Sequence, residues 1–131
     1  MARVVVLDAS VVIAFLDSGD AHHEAATAAL MADRSEDLVL PASACAEILV
    51  APLRRGPEAV AKARQVMTHL GIRIEPLTRE VADRAATLRA RHDSPRLPDA
   101  LVLATGEALE GDAVLTADRA WPRVSRRARV I

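Results

Sequence analysis

Residues 4–15 read VVVLDASVVIAF, two apolar runs with a single carboxylate, Asp8, between them. The first run, Arg3–Leu7, is β-branched and too uniformly apolar for a strand with one wet face. It reads as a central strand of a parallel sheet, covered on both sides. The second run, Ala9–Leu16, reads as a helix. A buried strand passing straight into a helix opens a βαβ unit, and no other feature of the chain constrains its fold as strongly. Asp8 adds a second constraint. An unpaired buried carboxylate is expensive, so it needs a partner, a helix N-terminus to cap, or a metal.

The alternation continues along the chain. DSGD at 17–20 is a turn, and Ala21–Asp33 is an alanine-rich helix. LVLP at 38–41 is a second strand stopped by Pro41, and Ser43–Ala51 is an apolar helix containing Glu47. Gly56-Pro57 opens a helix running to Leu70, because proline favours the first helical position. IRIEP at 72–76 is a third strand, and Thr78 caps a helix to His92. SPRLP at 94–98 is a loop, and Pro98 starts a helix through Leu109. GDAVLT supplies a fourth strand and the closing ARVI a fifth. This order predicts an α/β fold with a central parallel sheet of four to five short strands. No repeat, linker or low-complexity tract intervenes, so residues 1–131 read as a single domain.

Aromatic residues make up only 2% of the chain, so alanine, valine and leucine must fill the core. The net charge of −1 gives no global argument for a polyanionic partner, but its distribution is uneven. Residues 1–53 carry two arginines, Arg3 and Arg34; the other fifteen of 17 basic residues follow, and Lys62 is the only lysine. Arginine suits phosphate contact, and GC-rich codon usage explains the bias equally well. Cys45 stands alone, which excludes an internal disulfide and a cysteine-based zinc site. His22, His23, His69 and His92 lack metalloprotease spacing. The longest apolar stretch is interrupted by Asp8 and falls short of the ~20 residues of a membrane span. With no cleavable signal pattern either, the expected location is the cytoplasm.

Four acids then stand out, each with an ordinary explanation beside it. Asp8 suits the N-cap of the helix that follows. Asp99, after Pro98, suits the dipole of its helix, and Asp118 suits a cap on RAW. Glu47 lies mid-helix, where the plain alternative is a solvated edge. In open parallel sheets, however, ligands bind beyond the carboxyl ends of the strands, where strand order reverses. Asp8 and Asp118 both follow strands. Two carboxylates ~5 Å apart repel by about 3 kcal/mol at an effective dielectric near 20, which raises pKa values or recruits a hard cation. Oxygen ligands without His or Cys favour Mg²⁺ or Mn²⁺ over Zn²⁺.

VVVLDASVVIAFL, ASACAEILVA, RLPDALVLATG and AVLTADRAW, in that order and spacing, resemble the acidic motifs of the PIN-domain family. The likeness is strongest to the VapC toxins of type II toxin–antitoxin modules and covers essentially the whole chain, HHEAA included. It implies a three-layer α/β/α fold and a metal-dependent endoribonuclease. It also implies a homodimer, and inhibition by a small VapB-type antitoxin whose tail crosses the acidic groove. The family's catalytic acids fall on Asp8, Glu47, Asp99 and Asp118. Of these, Asp8, Asp99 and Asp118 are expected to hold Mg²⁺ or Mn²⁺, with Glu47 completing the shell or orienting water. Ser10 and Thr116 are expected to aim the carboxylates from behind. Trp121 departs from the pattern, standing where phenylalanine is expected, and should pack in its place. Arg91, Arg96 and Arg119 are candidate contacts to structured RNA such as transfer or ribosomal RNA.

Receiver-type signalling domains and haloacid-dehalogenase-type phosphatases also carry acids at strand ends. The first needs an acidic pair after strand one and a lysine after strand five, and the second needs an Asp where this chain has Ser10. The alternatives left open are a PIN nuclease that processes RNA outside a toxin–antitoxin system and an inactive PIN-fold binding module.

Overall fold

The structure is a computed structural model and describes residues 2–131. It contains strands β1 (Val4–Leu7), β2 (Asp37–Pro41), β3 (Arg73–Glu75), β4 (Ala113–Thr116) and β5 (Ala128–Val130). Its helices are α1 (Ala9–Leu16), α2 (His23–Ala32), α3 (Ala42–Arg55), α4 (Pro57–His69), α5 (Arg79–Arg91) and α6 (Leu97–Ala108). A 3₁₀ turn covers Trp121–Arg123.

The strands form one sheet in the order β3-β2-β1-β4-β5, with every pairing parallel. β1 therefore lies at the centre, and the order reverses between β1 and β4. Right-handed crossovers put α1 to α4, which link strands stepping one way, on one face. The α5–α6 connection returns across the sheet and covers the other, giving the expected three layers. Burial on both faces explains the apolar runs: Val5, Val6, Leu7, Leu38, Val39, Leu40 and Val114 are almost wholly inaccessible.

Small side chains set the spacing of the outer layers. Val81, Ala85, Ala100 and Ala104 form a separate buried cluster that joins α5 to α6. Thr78 caps α5 as its sequence position suggests, its hydroxyl accepting from the Val81 N–H at 3.2 Å. α3 differs from expectation. It runs past Pro52 to Arg55 rather than stopping at Ala51, because proline removes one helical hydrogen bond while the next turn is still closed by the Gly56 N–H on the Pro52 carbonyl at 3.0 Å. The helix ends only where Gly56 takes φ 122°, a conformation open to glycine at little cost.

α6 lies directly against β4. A Cβ at Gly106 would stand 2.5 Å from Cγ2 of Val114, a fully buried strand residue. Gly106→Ala should therefore lower unfolding free energy by about 1–3 kcal/mol in urea titrations, as overpacking does in tight cores. A loss under 0.5 kcal/mol would show that the helix can shift at roughly no cost.

Candidate active site

The pairing of β1 with β4 builds the site. Leu7 lies opposite Leu115, and the Asp8 N–H donates to the Leu115 carbonyl at 2.9 Å, so Asp8 leaves the sheet beside Thr116. Asp8 is 6% exposed, and Thr116 is fully buried. The Thr116 hydroxyl donates to Asp8 Oδ2 at 3.0 Å and accepts from the Asp118 N–H at 3.0 Å. The Ser10 hydroxyl donates to the same Oδ2 at 2.6 Å and accepts from the Ala117 N–H at 3.1 Å. Two hydroxyls thus satisfy one oxygen of the buried carboxylate and tie it to the loop after β4. Neither bond engages Oδ1. Although Asp8 occupies the N-cap position of α1, its side chain makes no capping bond there.

The other acids arrive from three further elements. Glu47 projects from the second turn of α3, Asp99 sits in the first turn of α6, and Asp118 follows β4. With Asp8, Ser10, Ile13 and Trp121 they line one open pocket of about 440 Å³ at the carboxyl edge of the sheet, where strand order reverses. The ordinary explanations are partly realised at the same time. Asp99 does complement its helix N-terminus, and Asp118 Oδ1 accepts from the Ala120 N–H at 2.8 Å. Glu47 is exposed as a residue, yet its carboxyl faces the other acids.

Burial and mutual repulsion push Asp8, Glu47 and Asp99 toward protonation. Burial raises the Asp99 pKa to about 6, with the charges of Asp8, Glu47 and Asp118 adding to it and Arg96 opposing. Glu47 is raised by burial and by the charge of Asp8. Asp8 is raised by burial, a push that the Ser10 and Thr116 hydroxyls and the Ala9 backbone N–H oppose and the charge of Asp118 reinforces. Among the described residues, no three acidic, cysteine or histidine side chains converge closely enough to ligate one ion directly. The donor set fits a hard divalent cation in chemistry, being all oxygen, strongly negative and short of compensating charge. Its spacing leaves room for water between ion and carboxylate.

Not every expected residue reaches the site. Arg96 is close enough for its charge to lower the Asp99 pKa, but Arg91 and Arg119 are exposed and outside the pocket lining. Trp121 is the reverse case. Expected only to pack, it is 2% exposed in the main core and also lines the acid pocket. No helix of the described residues is long and apolar enough to cross a membrane.

The Asp99 shift has a consequence for stability. Because the folded chain holds this proton more tightly than the unfolded chain does, stability without metal should fall as pH rises from about 4 to about 6, then level off. Asp99→Asn removes that charge. In chelator at pH 7 it should unfold about 1 kcal/mol less readily than wild type, a figure discounted for solvent screening. Equal or lower stability at pH 7, measured by denaturant titration, would refute the unfavourable burial of this charge among its neighbours.

The sequence matches the PIN domain family over residues 5–127. No curated protein sequence matches it. Among solved structures, VapC20 of Mycobacterium tuberculosis, described as a sarcin–ricin loop cleaving toxin, is 23% identical. It superposes with a TM-score of 0.69 over 84% of this chain and 86% of that one. A toxin–antitoxin complex from Klebsiella pneumoniae gives 20% identity, a TM-score of 0.79 and 96% coverage of both chains. VapBC2 from Rickettsia felis, bound to a promoter DNA fragment, gives 10% identity, a TM-score of 0.80 and coverage of 97% and 98%. At these identities the structures share a fold with this chain. The family match takes in all four pocket acids and nearly the whole sequence: the chain belongs to the PIN domain family.

Proposed function

We propose that this protein is a metal-dependent endoribonuclease toxin of the VapC type, cutting structured RNA such as transfer or ribosomal RNA. The observation that carries this reading is the meeting of Asp8, Glu47, Asp99 and Asp118 in one pocket, with Asp8 held by two hydroxyls. Asp8, Asp99 and Asp118 would hold Mg²⁺, with Mn²⁺ as a substitute, partly through water. When bound, the ion neutralises charge on the scissile phosphate and acidifies a water for in-line attack.

The chain's own groups have distinct tasks in this scheme. Asp8 presents Oδ1 because Ser10 and Thr116 occupy Oδ2. Asp99, raised to about 6 by burial and by the neighbouring acids, is still mostly ionised at neutral pH and so available to a cation. Glu47, on a separate helix, accepts a hydrogen bond from the attacking water and turns its lone pair toward phosphorus. Arg96, beside Asp99, is the arginine best placed to meet the RNA backbone, with Arg91 and Arg119 contributing long-range attraction. With 2% aromatic residues, recognition rests on shape and phosphates rather than on base stacking.

The partners follow from the same reading. The Klebsiella and Rickettsia structures are described as toxin–antitoxin assemblies. A small VapB-type antitoxin, bound to a homodimer of this chain in a larger complex, would block the acid pocket. The protein would act in the cytoplasm, where its RNA lies.

The test is induced expression of wild type and Asp8→Asn, followed by growth and by mapping of new RNA 5′ ends. Growth arrest with discrete new ends in wild type alone is expected. Unchanged RNA in both cultures would favour a binding module. In purified protein, Ser10→Ala and Thr116→Val should each reduce Mg²⁺-dependent cleavage by about 10–100-fold, the range for groups that orient metal ligands. Asp8→Asn should reduce it further.

A further inference from the structure

Trp121 carries the one buried side-chain nitrogen or oxygen among the described residues that has no hydrogen-bond partner, its indole Nε1. Buried donors of this kind are rare in folded chains and call for a specific explanation. Hydrogen bonds hold the backbone of Trp121 in place. Its N–H donates to the Asp118 carbonyl at 3.4 Å, and its carbonyl accepts from Val124 and Ser125 at 3.0 and 3.1 Å, which pins the 3₁₀ turn. The indole belongs to the main apolar core, whose members offer it no oxygen or nitrogen side-chain acceptor. Its polar boundary is the acid pocket, which it lines with Asp8, Glu47, Asp99 and Asp118.

A second observation concerns the same pocket. The four acids face one another but do not converge to ligating distance. Gathering a cation therefore requires carboxylates, or waters between them and the ion, to move inward. That movement delivers oxygen acceptors to a pocket lined by Trp121, the residue whose indole donor has no partner. Phenylalanine, the residue expected at this position, would fill the wall without supplying a donor.

We infer that Trp121 is a positioning residue of the acid pocket: its indole N–H donates to an oxygen of the loaded site, a carboxylate oxygen or a water held by the divalent cation, and so favours the gathered arrangement. The inference rests on the reading of the pocket as a cation site, and its test separates the two. Trp121 is the only tryptophan in the chain, so a ¹⁵N-labelled sample has one indole N–H resonance. MgCl₂ is titrated into the full chain while that resonance and the backbone amides of Ser10 and Ala117 are followed.

The expected result is a saturable downfield shift of the indole proton in step with the two amides. Amides that move while the indole does not would overturn this inference and leave the cation site standing. Silence in all three would overturn both. Mg²⁺ affinity is then measured by calorimetry for Trp121→Phe and for protein carrying benzothienylalanine at this single position, which keeps the ring shape and lacks the N–H. Each should bind about three- to ten-fold more weakly, the equivalent of one hydrogen bond. The benzothienyl protein should melt in chelator at the wild-type temperature, which a merely structural role would not allow together with weaker binding. If it folds and binds Mg²⁺ as tightly as wild type, the indole N–H has no part in the site.

Discussion

The register between β1 and β4 is the constraint on which the acid pocket depends. With Leu7 opposite Leu115, the backbone of Asp8 bonds across the strand end, and Thr116 falls where its hydroxyl meets Asp8 Oδ2. A shift of one residue along either strand would exchange the faces of every side chain and leave a carboxylate in the core without a donor. The apolar runs that make both strands suitable for a doubly covered sheet also enforce this alignment. Residues 108 apart in sequence are thereby coupled through one hydrogen bond.

From that point the electrostatics follow. Burial and hydroxyl donors act on Asp8 in opposite directions, and burial prevails. Burial, with the charge of Asp8 adding to it, raises Glu47 and Asp99 as well, and Arg96 is the cation felt by Asp99. The geometry is preorganised in its anchored half, where Ser10 and Thr116 fix one oxygen of Asp8, while the half contributed by α3 and α6 shows no such hydroxyl anchor.

Much of this was legible in the residues. The runs VVVL, LVLP and AVLT identify buried parallel strands because a strand covered on both faces has no polar side. Thr78 and the pair Gly56-Pro57 mark helix boundaries through local chemistry, and the structure keeps them. Asp8, Glu47, Asp99 and Asp118 fall on motifs that resemble those of PIN domains, and they do line one pocket. Pro52 misleads, because local propensity cannot anticipate a helix continued through it to Gly56. Arg91 and Arg119 lie outside the pocket lining for a different reason. Proximity in sequence to Asp99 and Asp118 does not fix the direction of a long, solvated side chain.

What the sequence by itself determined is the order of elements, the parallel sheet and the identity of the acids. The first two depend on apolar periodicity and on short-range backbone preferences, which are properties of neighbouring residues, and the acids are picked out by the resemblance of their motifs to those of PIN domains. Only the tertiary structure decided which oxygen of Asp8 is occupied, that Asp118 both caps its turn and lines the pocket, and that the Trp121 indole is left without an acceptor. Hydrogen bonds discriminate over tenths of an ångström and depend on direction. Those distances are set by how sheet and helices pack, from residues far apart along the chain.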